Sequence, residues 1–399
     1  MAWSEGQTLQ ARWEDAKQTV GALHKHWKLG TSYGGFTEAL TRSPHALIEP
    51  IKKRLRTKML QLPEKYRLCC RRNAFAVDGS RLESPHMEAN ELGLGCAGRE
   101  KTAPQVFLTT IRHMGTGLAW DFHVGPGTDS ERTHLRIMLP NLPENALLVA
   151  DAGFAGYELC QEIIASGRSF LFRVGGNITL LEGLGFHHEE RDGLVYLWPQ
   201  GRRDEAPLVL RLIKLTRGKQ TIYLLTNVLD AEDLTEEEAS ILYEMRWGIE
   251  VFYRSYKQTM DRRKLLSRTP ATCLAEAQWI MLGVWLLGLM TVQALIGQGH
   301  DPLRISFAKA RDAVRRAMRR ASAPPHRRSV ARRARTFQQE LRDAVRDEYR
   351  RTSSKEARNY PRKKRQKPPG PPKIKTATEE QRQHAQRLRT NVTTLRRTA

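Results

Sequence analysis

Short apolar runs alternate with periodic, more polar segments along the first 300 residues. The apolar runs at residues 75–77, 106–111 and 117–124 predict strands, and the turn at 113–116 predicts a hairpin between the last two. Capping side chains at residues 128–131 precede a periodic apolar stretch, which predicts a helix. The continuous apolar run at 146–150 predicts a strand covered on both faces. This order indicates an α/β fold with a mixed sheet.

Different patterns flank this segment. Residues 1–66 are mostly polar and predict helices over residues 7–27 and 37–60. Apolar runs between residues 168 and 230 predict a β-rich insertion. Helices are expected from Thr235 past Lys257 and again over residues 279–297. The latter stretch is apolar enough to span a membrane, but its polar Thr291 and Gln293 favour a buried core helix.

Charge is distributed unevenly along the chain. Residues 301–399 contain 30 basic and 9 acidic residues and so carry +21 of the total net charge of +23. Such a region attracts polyanions such as nucleic acid, although basic tails can also be solubilising or membrane-surface segments. The Arg- and Pro-rich stretch at residues 361–372 has too few apolar side chains to fold, which predicts disorder.

These patterns divide the chain into three predicted regions. Residues 1–66 form a helical domain, residues 67–300 form the sheet domain with its insertion at about 168–230, and residues 301–399 form a basic, partly helical and partly disordered region. The five cysteines lack the spacing of a zinc site, and no secretory signal precedes the first helix. We therefore expect reduced thiols and a cytoplasmic protein.

Two aspartates directly follow apolar runs. Asp78 follows the run at 75–77 and precedes Gly79, and Asp151 follows the run at 146–150. If both runs are adjacent parallel strands, both carboxylates lie at strand ends, where they could share a metal ion. Aspartate near glycine is also ordinary turn chemistry, and both interpretations stay open at this point.

A third acidic residue belongs to a patterned helical segment. Tyr243, Arg246, Glu250 and Lys257 are separated by three, four and seven residues, which predicts that they share one face of a helix. A solvated face with Arg–Glu pairs would show the same spacing. The segment contains more aromatic side chains than such an exposed face needs, which favours a functional role.

This segment, from Tyr243 to Lys257, matches a Y-(2)-R-(3)-E-(6)-K signature without a gap. It thereby resembles the DDE transposases of the bacterial insertion sequence four family, and residues 77–80 and 149–154 resemble the two aspartate segments of that family. The resemblance covers about residues 75–295. It implies a ribonuclease-H-like fold, with a mixed sheet, flanking helices and a β-rich insertion. It also implies that the N-terminal helical domain binds DNA.

The resemblance implies that Asp78, Asp151 and Glu250 are the catalytic residues and the metal ligands. Three carboxylates without nitrogen or sulfur ligands suit Mg²⁺ or Mn²⁺. Two such ions per active site could activate a water or a DNA 3′-hydroxyl for in-line displacement at phosphorus.

The resemblance further implies that Tyr243, Arg246 and Lys257 bind DNA phosphates, with Arg246 offering a bidentate guanidinium. A basic run follows the signature and could contact the DNA backbone, or could equally be a solvated charge run. This run consists of Arg262, Arg263 and Lys264.

The implied activity is cleavage at transposon ends and strand transfer into target DNA. The implied partners are the terminal inverted repeats and the target DNA, engaged by a homodimer in a synaptic complex at the bacterial nucleoid, without a membrane. A catalytically silent DNA-binding relative and a nuclease without strand transfer are the alternatives. The intact acidic residues and signature favour the transposase.

Overall fold

The computed structural model describes residues 1–42, 44–97, 103–191, 193–217, 220–322, 330–346 and 370–398. The chain forms two compact units, and each unit is built from two stretches of sequence. The first comprises Met1–Asn141 and Arg246–Arg346, and the second comprises Leu142–Met245 and Asp347–Ala399. The disorder predicted over residues 361–372 falls outside the described ranges, except for residues 370–372.

The described helices are α1 (Leu9–Leu23), α2 (Tyr33–Arg42), α3 (Pro44–Leu60), α4 (Glu88–Leu94), α5 (Glu131–Met138), α6 (Tyr157–Ala165), α7 (Glu236–Met245), α8 (Gly248–Arg254), α9 (Pro270–Ile296), α10 (Phe307–Ser322), α11 (Val330–Arg342) and α12 (Glu379–Thr398). The described strands are β1 (Asn73–Glu83), β2 (Gln105–His113), β3 (Ala119–Pro126), β4 (Ala146–Ala150), β5 (Ser169–Val174), β6 (Thr179–Glu182), β7 (Leu194–Leu197), β8 (Leu208–Arg217), β9 (Gln220–Thr226) and β10 (Lys373–Thr376).

In the first unit, β1, β2 and β3 form an antiparallel meander. Asp78 on β1 lies opposite Thr110 on β2, and β2 continues into β3 through a tight turn. The hairpin predicted from the two apolar runs is therefore confirmed. The helix predicted after residues 128–131 is also confirmed, because α5 begins at Glu131 and the Ser130 side chain accepts a hydrogen bond from the Arg132 backbone N–H.

Helix α9 is the main buried helix of the first unit. The Thr269 side chain caps its N-terminus and Pro270 occupies the first helical position, where proline is tolerated. The helix packs against α3, α10 and α11 and against the strands β2 and β3. Among the described helices, α9 is long and apolar enough to cross a membrane. In its most apolar stretch, 61% is buried inside the protein. This burial agrees with the predicted core helix.

A buried carboxylate joins α3 to β3. Asp121 on β3 has no exposed surface, and its oxygens lie 2.9 Å from Nζ of Lys52 and 3.3 Å from Nη1 of Arg56. The backbone N–H of Phe122 and the side-chain amide of Asn141 also donate to it, at 2.7 and 2.8 Å. These two ion pairs and two hydrogen bonds compensate for the loss of water around a buried charge. Asp121 thereby attaches the N-terminal helices to the sheet.

The second unit contains a large mixed sheet with flanking helices. Its described strands follow the order β10–β6–β7–β8–β9–β5–β4. The pairs β4–β5 and β10–β6 are parallel, whereas the other pairs are antiparallel. Strand β4 is buried along its whole length, as its continuous apolar run predicts. The prediction of an α/β fold with mixed strand directions is confirmed, and the predicted β-rich stretch forms strands β5 to β9.

The helix predicted from Thr235 past Lys257 is interrupted, so the expectation of one continuous helical face is wrong. Helix α7 ends at Met245, α8 begins at Gly248, and the segment Ser255–Thr259 is π-helical. A Cβ at Gly248 would lie 2.5 Å from Nη1 of Arg112, so this side chain packs against the bare backbone where α8 begins. The spacing of residues along the sequence could not predict this contact between Arg112 and Gly248.

Candidate active site

Asp78 lies within β1, at the point where the strand becomes accessible. Residues 74–77 are buried, whereas Asp78, Gly79 and Ser80 are partly exposed. The expectation that Asp78 ends a strand is wrong, because pairing with β2 extends β1 as far as Glu83. One carboxylate oxygen, Oδ1, accepts a hydrogen bond of 2.9 Å from the Gly79 backbone N–H.

Gly79 leaves room for another carboxylate beside Asp78. A Cβ at Gly79 would lie 2.7 Å from Oε1 of Glu131 and 2.6 Å from Cζ of Phe107. Both distances are shorter than real Cβ contacts, so only glycine permits this approach without a shift. The sequence marks Glu131 only as a capping residue. In the sequence, only Gly79, directly after Asp78, could have indicated that another side chain lies close to the strand at this point.

Glu250 lies in the first turn of α8, in the same unit as Asp78. Its carboxylate is 34% exposed, and Oε1 lies 3.5 Å from Nη2 of the largely buried Arg246. A carboxylate in the first turn is also favoured by the positive end of the helix dipole. Helix α8 packs against β1, the strand that carries Asp78. Glu250 is therefore an accessible ligand candidate.

Tyr253, one turn after Glu250, joins α8 to the backbone of Asp78. Its hydroxyl oxygen lies 2.7 Å from the carbonyl oxygen of Asp78 and 3.1 Å from that of Leu108. Burial raises the pKa of Tyr253 well above its ordinary value, and the charges of Asp78 and Glu131 raise this pKa further. The hydroxyl therefore stays protonated and serves as a donor. The sequence marks Tyr253 only as one aromatic residue among several, because its partners are distant along the chain.

Cations line the part of β1 that follows Asp78. Lys257 donates a hydrogen bond of 2.7 Å to the carbonyl oxygen of Arg81. Burial lowers the pKa of Lys257, and the charge of Arg263 lowers it further. Arg263 and Lys264 are exposed, and each lies 3.6 Å from a carboxylate oxygen of Glu83 at the end of β1.

Arg262 differs from its two basic neighbours. It is 2% exposed, and its guanidinium donates to the carbonyl oxygens of Ala2 and Ser4 at 3.2 and 2.9 Å. Burial lowers its pKa to about 10. Its observed contacts hold the N-terminal segment, so the structure does not support Arg262 as a DNA contact. A run of three basic residues cannot indicate which member is buried.

Asp151 follows β4 directly in the second unit, as predicted. Its Oδ1 accepts a hydrogen bond from the Ala152 backbone N–H at 2.9 Å and lies 3.5 Å from the Tyr243 hydroxyl and 3.8 Å from Nη1 of Arg173. Sequence reasoning missed Arg173, which lies on β5 one residue past the partner of Ala150. Within the described residues all of these contacts fall on Oδ1, so Oδ2 has no hydrogen-bonding or ionic partner.

The three acidic residues are divided between the two units. Asp78 and Glu250 belong to the first unit, and Asp151 belongs to the second. Over the described ranges, neither unit alone contains a group of three His, Cys, Asp or Glu side chains that could hold a metal ion. The donor set nevertheless suits hard cations, because it consists of partly exposed carboxylate oxygens.

The chain matches the model of the family described as Transposase DDE domain over residues 71–287. This range includes all three acidic residues and the complete signature. The chain is also 27% identical over 257 residues to the transposase InsG for insertion sequence element IS4 of Escherichia coli (strain K12). The match covers 60% of this chain and 57% of that protein, so the chain spans little more than half of the relative's length.

Among solved structures, the chain resembles one in a cryo-EM structure of the piggyBac transposase synaptic complex with hairpin DNA. The TM-score is 0.40 and the sequence identity is 11%, over 87% of this chain and 78% of that chain.

Proposed function

Because the chain belongs to the transposase DDE domain family, with the insertion sequence four signature, we propose that it is a DNA transposase. It would cleave DNA at transposon ends and transfer the freed 3′ ends to target DNA. The proposal rests most directly on the hydrogen bond from the Tyr253 hydroxyl to the Asp78 carbonyl oxygen. This bond holds α8, which carries Glu250, against β1, which carries Asp78. A ribonuclease-H-like core and a homodimer with one active site per DNA end belong to the same proposal.

Asp78, Asp151 and Glu250 would together hold the divalent metal ions. A pair of Mg²⁺ or Mn²⁺ ions supplies activation of the attacking oxygen and stabilisation of the leaving oxygen at phosphorus. The open Oδ2 of Asp151 and the partly exposed carboxylate of Glu250 support this role. Arg246 would orient Glu250, because its guanidinium lies beside that carboxylate.

The cations of the site would position the DNA backbone. Arg246, Lys257 and Tyr243 would bind phosphates, and the exposed Arg263 and Lys264 would extend this surface along the end of β1. Such contacts fix the register of the DNA without reading its sequence. The N-terminal helical domain would bind the terminal inverted repeats.

Cleavage of the cognate transposon ends tests this proposal. Purified protein with Mg²⁺ is expected to cut DNA that carries the terminal repeats and to join the 3′ ends to an added target duplex. Binding without cutting would instead indicate a catalytically silent relative. Cutting without joining would indicate a nuclease.

Removal of the Tyr253 hydroxyl tests its role as a positioning residue. Tyr253→Phe keeps the buried ring and loses a hydrogen bond worth about 0.5 to 1.5 kcal/mol, so cleavage should slow by about twofold to tenfold. The Mn²⁺ concentration for half-saturation, measured by calorimetry without DNA, should rise in parallel, because the helix of Glu250 is less firmly held.

Tyr256→Phe is the matched control. Tyr256 is fully buried in the π-helical segment, and its hydroxyl lies 3.5 Å from the carbonyl oxygen of Ala277, which belongs to α9. This variant should leave Mn²⁺ binding unchanged. Equal changes in metal binding for both variants would show that Tyr253 has only a general structural role.

A further inference from the structure

In the part of the chain that the structure describes, two groups of basic residues after position 301 have different partners. The first group lies on α10, which packs against α1 and α9. Arg315 donates to the carbonyl oxygen of Trp3, and Arg319 pairs with Glu5. Arg320 forms a bidentate pair with Glu340, at 2.8 and 3.0 Å. These arginines hold α10 to the N-terminal segment and to α11, so their charge is already partly neutralised.

The second group lies on residues 370–398, which dock on the sheet of the second unit. Strand β10 pairs in parallel with β6, with Lys373 opposite Thr179. The Lys373 backbone N–H donates to the Ile178 carbonyl, and the Arg382 side chain donates to the Gly183 carbonyl at 2.9 Å. These bonds fix the C-terminal segment on the sheet.

Side-chain packing strengthens this attachment. Ala385 on α12 is fully buried, and the His384 ring contacts the Trp198 ring edge to face, with centroids 5.4 Å apart. The segment that carries the second group of cations is therefore an ordered part of the second unit, and its exposed side chains have defined positions.

Among the side chains that the structure describes in this docked segment, three cations are exposed. They are Lys373, Lys375 and Arg387. In the part of the chain that the structure describes, none of them has an acidic partner. Lys373 and Lys375 are two residues apart on a strand, so their side chains project from the same face. The exposed described residues of α12 are polar or charged, unlike those of a membrane-binding helix, which has an apolar face.

We propose that the docked β10–α12 segment, rather than α10, is the sequence-independent DNA-binding surface of the basic C-terminal region. This inference rests on the proposed function, since it takes DNA as the partner. Lys373, Lys375 and Arg387 lie on a segment that the sheet holds in place, and within the described residues none of them has an acidic partner. They can therefore bind phosphates without breaking ion pairs within the protein. Phosphate binding releases counterions from DNA and is therefore salt-dependent.

Charge neutralisation in the full-length protein tests this surface. The triple variant Lys373→Gln, Lys375→Gln, Arg387→Gln is compared with Lys309→Gln, Arg316→Gln, Arg319→Gln, which removes three exposed cations from α10. Binding to a duplex without terminal repeats is measured by fluorescence anisotropy, in EDTA, between 50 and 200 mM salt. Log affinity falls with log salt, and each lost phosphate contact makes this negative slope shallower by about 0.9. The first triple variant should therefore reduce the magnitude of the slope by about 2 to 3.

The control triple variant should change the slope by less than about 1. Lys373→Arg with Lys375→Arg keeps the charge and should keep the wild-type slope. Equal effects of the two triple variants, or an unchanged slope in the first, would overturn the proposal. So would tighter wild-type binding to anionic phosphatidylserine vesicles than to the duplex. Because EDTA removes divalent metal from this assay, the measured binding does not depend on whether the protein cleaves DNA.

Discussion

Asp78→Asn, Asp151→Asn and Glu250→Gln are each expected to abolish metal-dependent DNA cleavage while DNA binding is retained. Each variant replaces an anionic metal ligand with a neutral amide of nearly the same shape. The loss of about 4 kcal/mol or more of transition-state stabilisation would slow cleavage by at least about a thousandfold. Initial rates of cleavage on DNA with terminal repeats measure this effect, and gel-shift titrations measure binding.

Glu244→Gln serves as the matched control for these variants. Glu244 is an exposed acidic residue of α7 outside the proposed ligand set, so this substitution removes the same charge from a residue with no proposed role in metal binding. It should leave the cleavage rate within about twofold of wild type, as for most surface substitutions. If any of the three acidic variants cleaves at the wild-type rate, the residue concerned is not a metal ligand.

Asp121→Asn should destabilise the protein by about 3 to 5 kcal/mol, because it leaves the Lys52 and Arg56 charges without their buried counter-charge. Urea unfolding, followed by tryptophan fluorescence, measures the change in the free energy of unfolding. Glu49→Gln is the control, since Glu49 also pairs with Lys52, at 2.8 Å, but is 46% exposed. Because the Glu49 carboxylate stays in contact with water, that pair should contribute about 1 kcal/mol or less. Equal destabilisation by both variants would contradict the role assigned to Asp121.

Elements with a strong local pattern could be predicted from the sequence. The continuous apolar run of β4, the turn of the β2–β3 hairpin and the capping residues of α5 each contain their own structural signal. These signals act over a few residues, so no knowledge of the tertiary structure is needed. They were sufficient for the α/β class and for the position of Asp151 after a buried strand.

The errors arose where distant contacts decide the structure. Pairing with β2 extends β1 beyond Asp78, and the packing of Arg112 on Gly248 accompanies the break between α7 and α8. Arg262 is buried because backbone carbonyls near the N-terminus accept its hydrogen bonds. Residue type and spacing are the same whether or not such contacts form.

In the candidate site, too, local sequence patterns identified some residues, whereas others depend on distant contacts. The signature spacing identified Glu250 and Arg246, which do lie beside each other. The contacts of Tyr253 and Glu131 depend on the approach of α8 and α5 to β1, and the contact of Arg173 with Asp151 depends on the parallel pairing of β5 with β4. These approaches become visible only in the folded chain.

Iron-directed backbone cleavage tests most directly whether Asp78, Asp151 and Glu250 share bound metal. Fe²⁺ can occupy carboxylate sites in place of Mg²⁺, and with ascorbate and peroxide it generates radicals that cut the nearby backbone. The proposed site predicts cuts near residues 78, 151 and 250 in the same preparation, all suppressed by excess Mg²⁺ and by Asp78→Asn. Cuts near residues 78 and 250 without any near 151 would contradict a shared site.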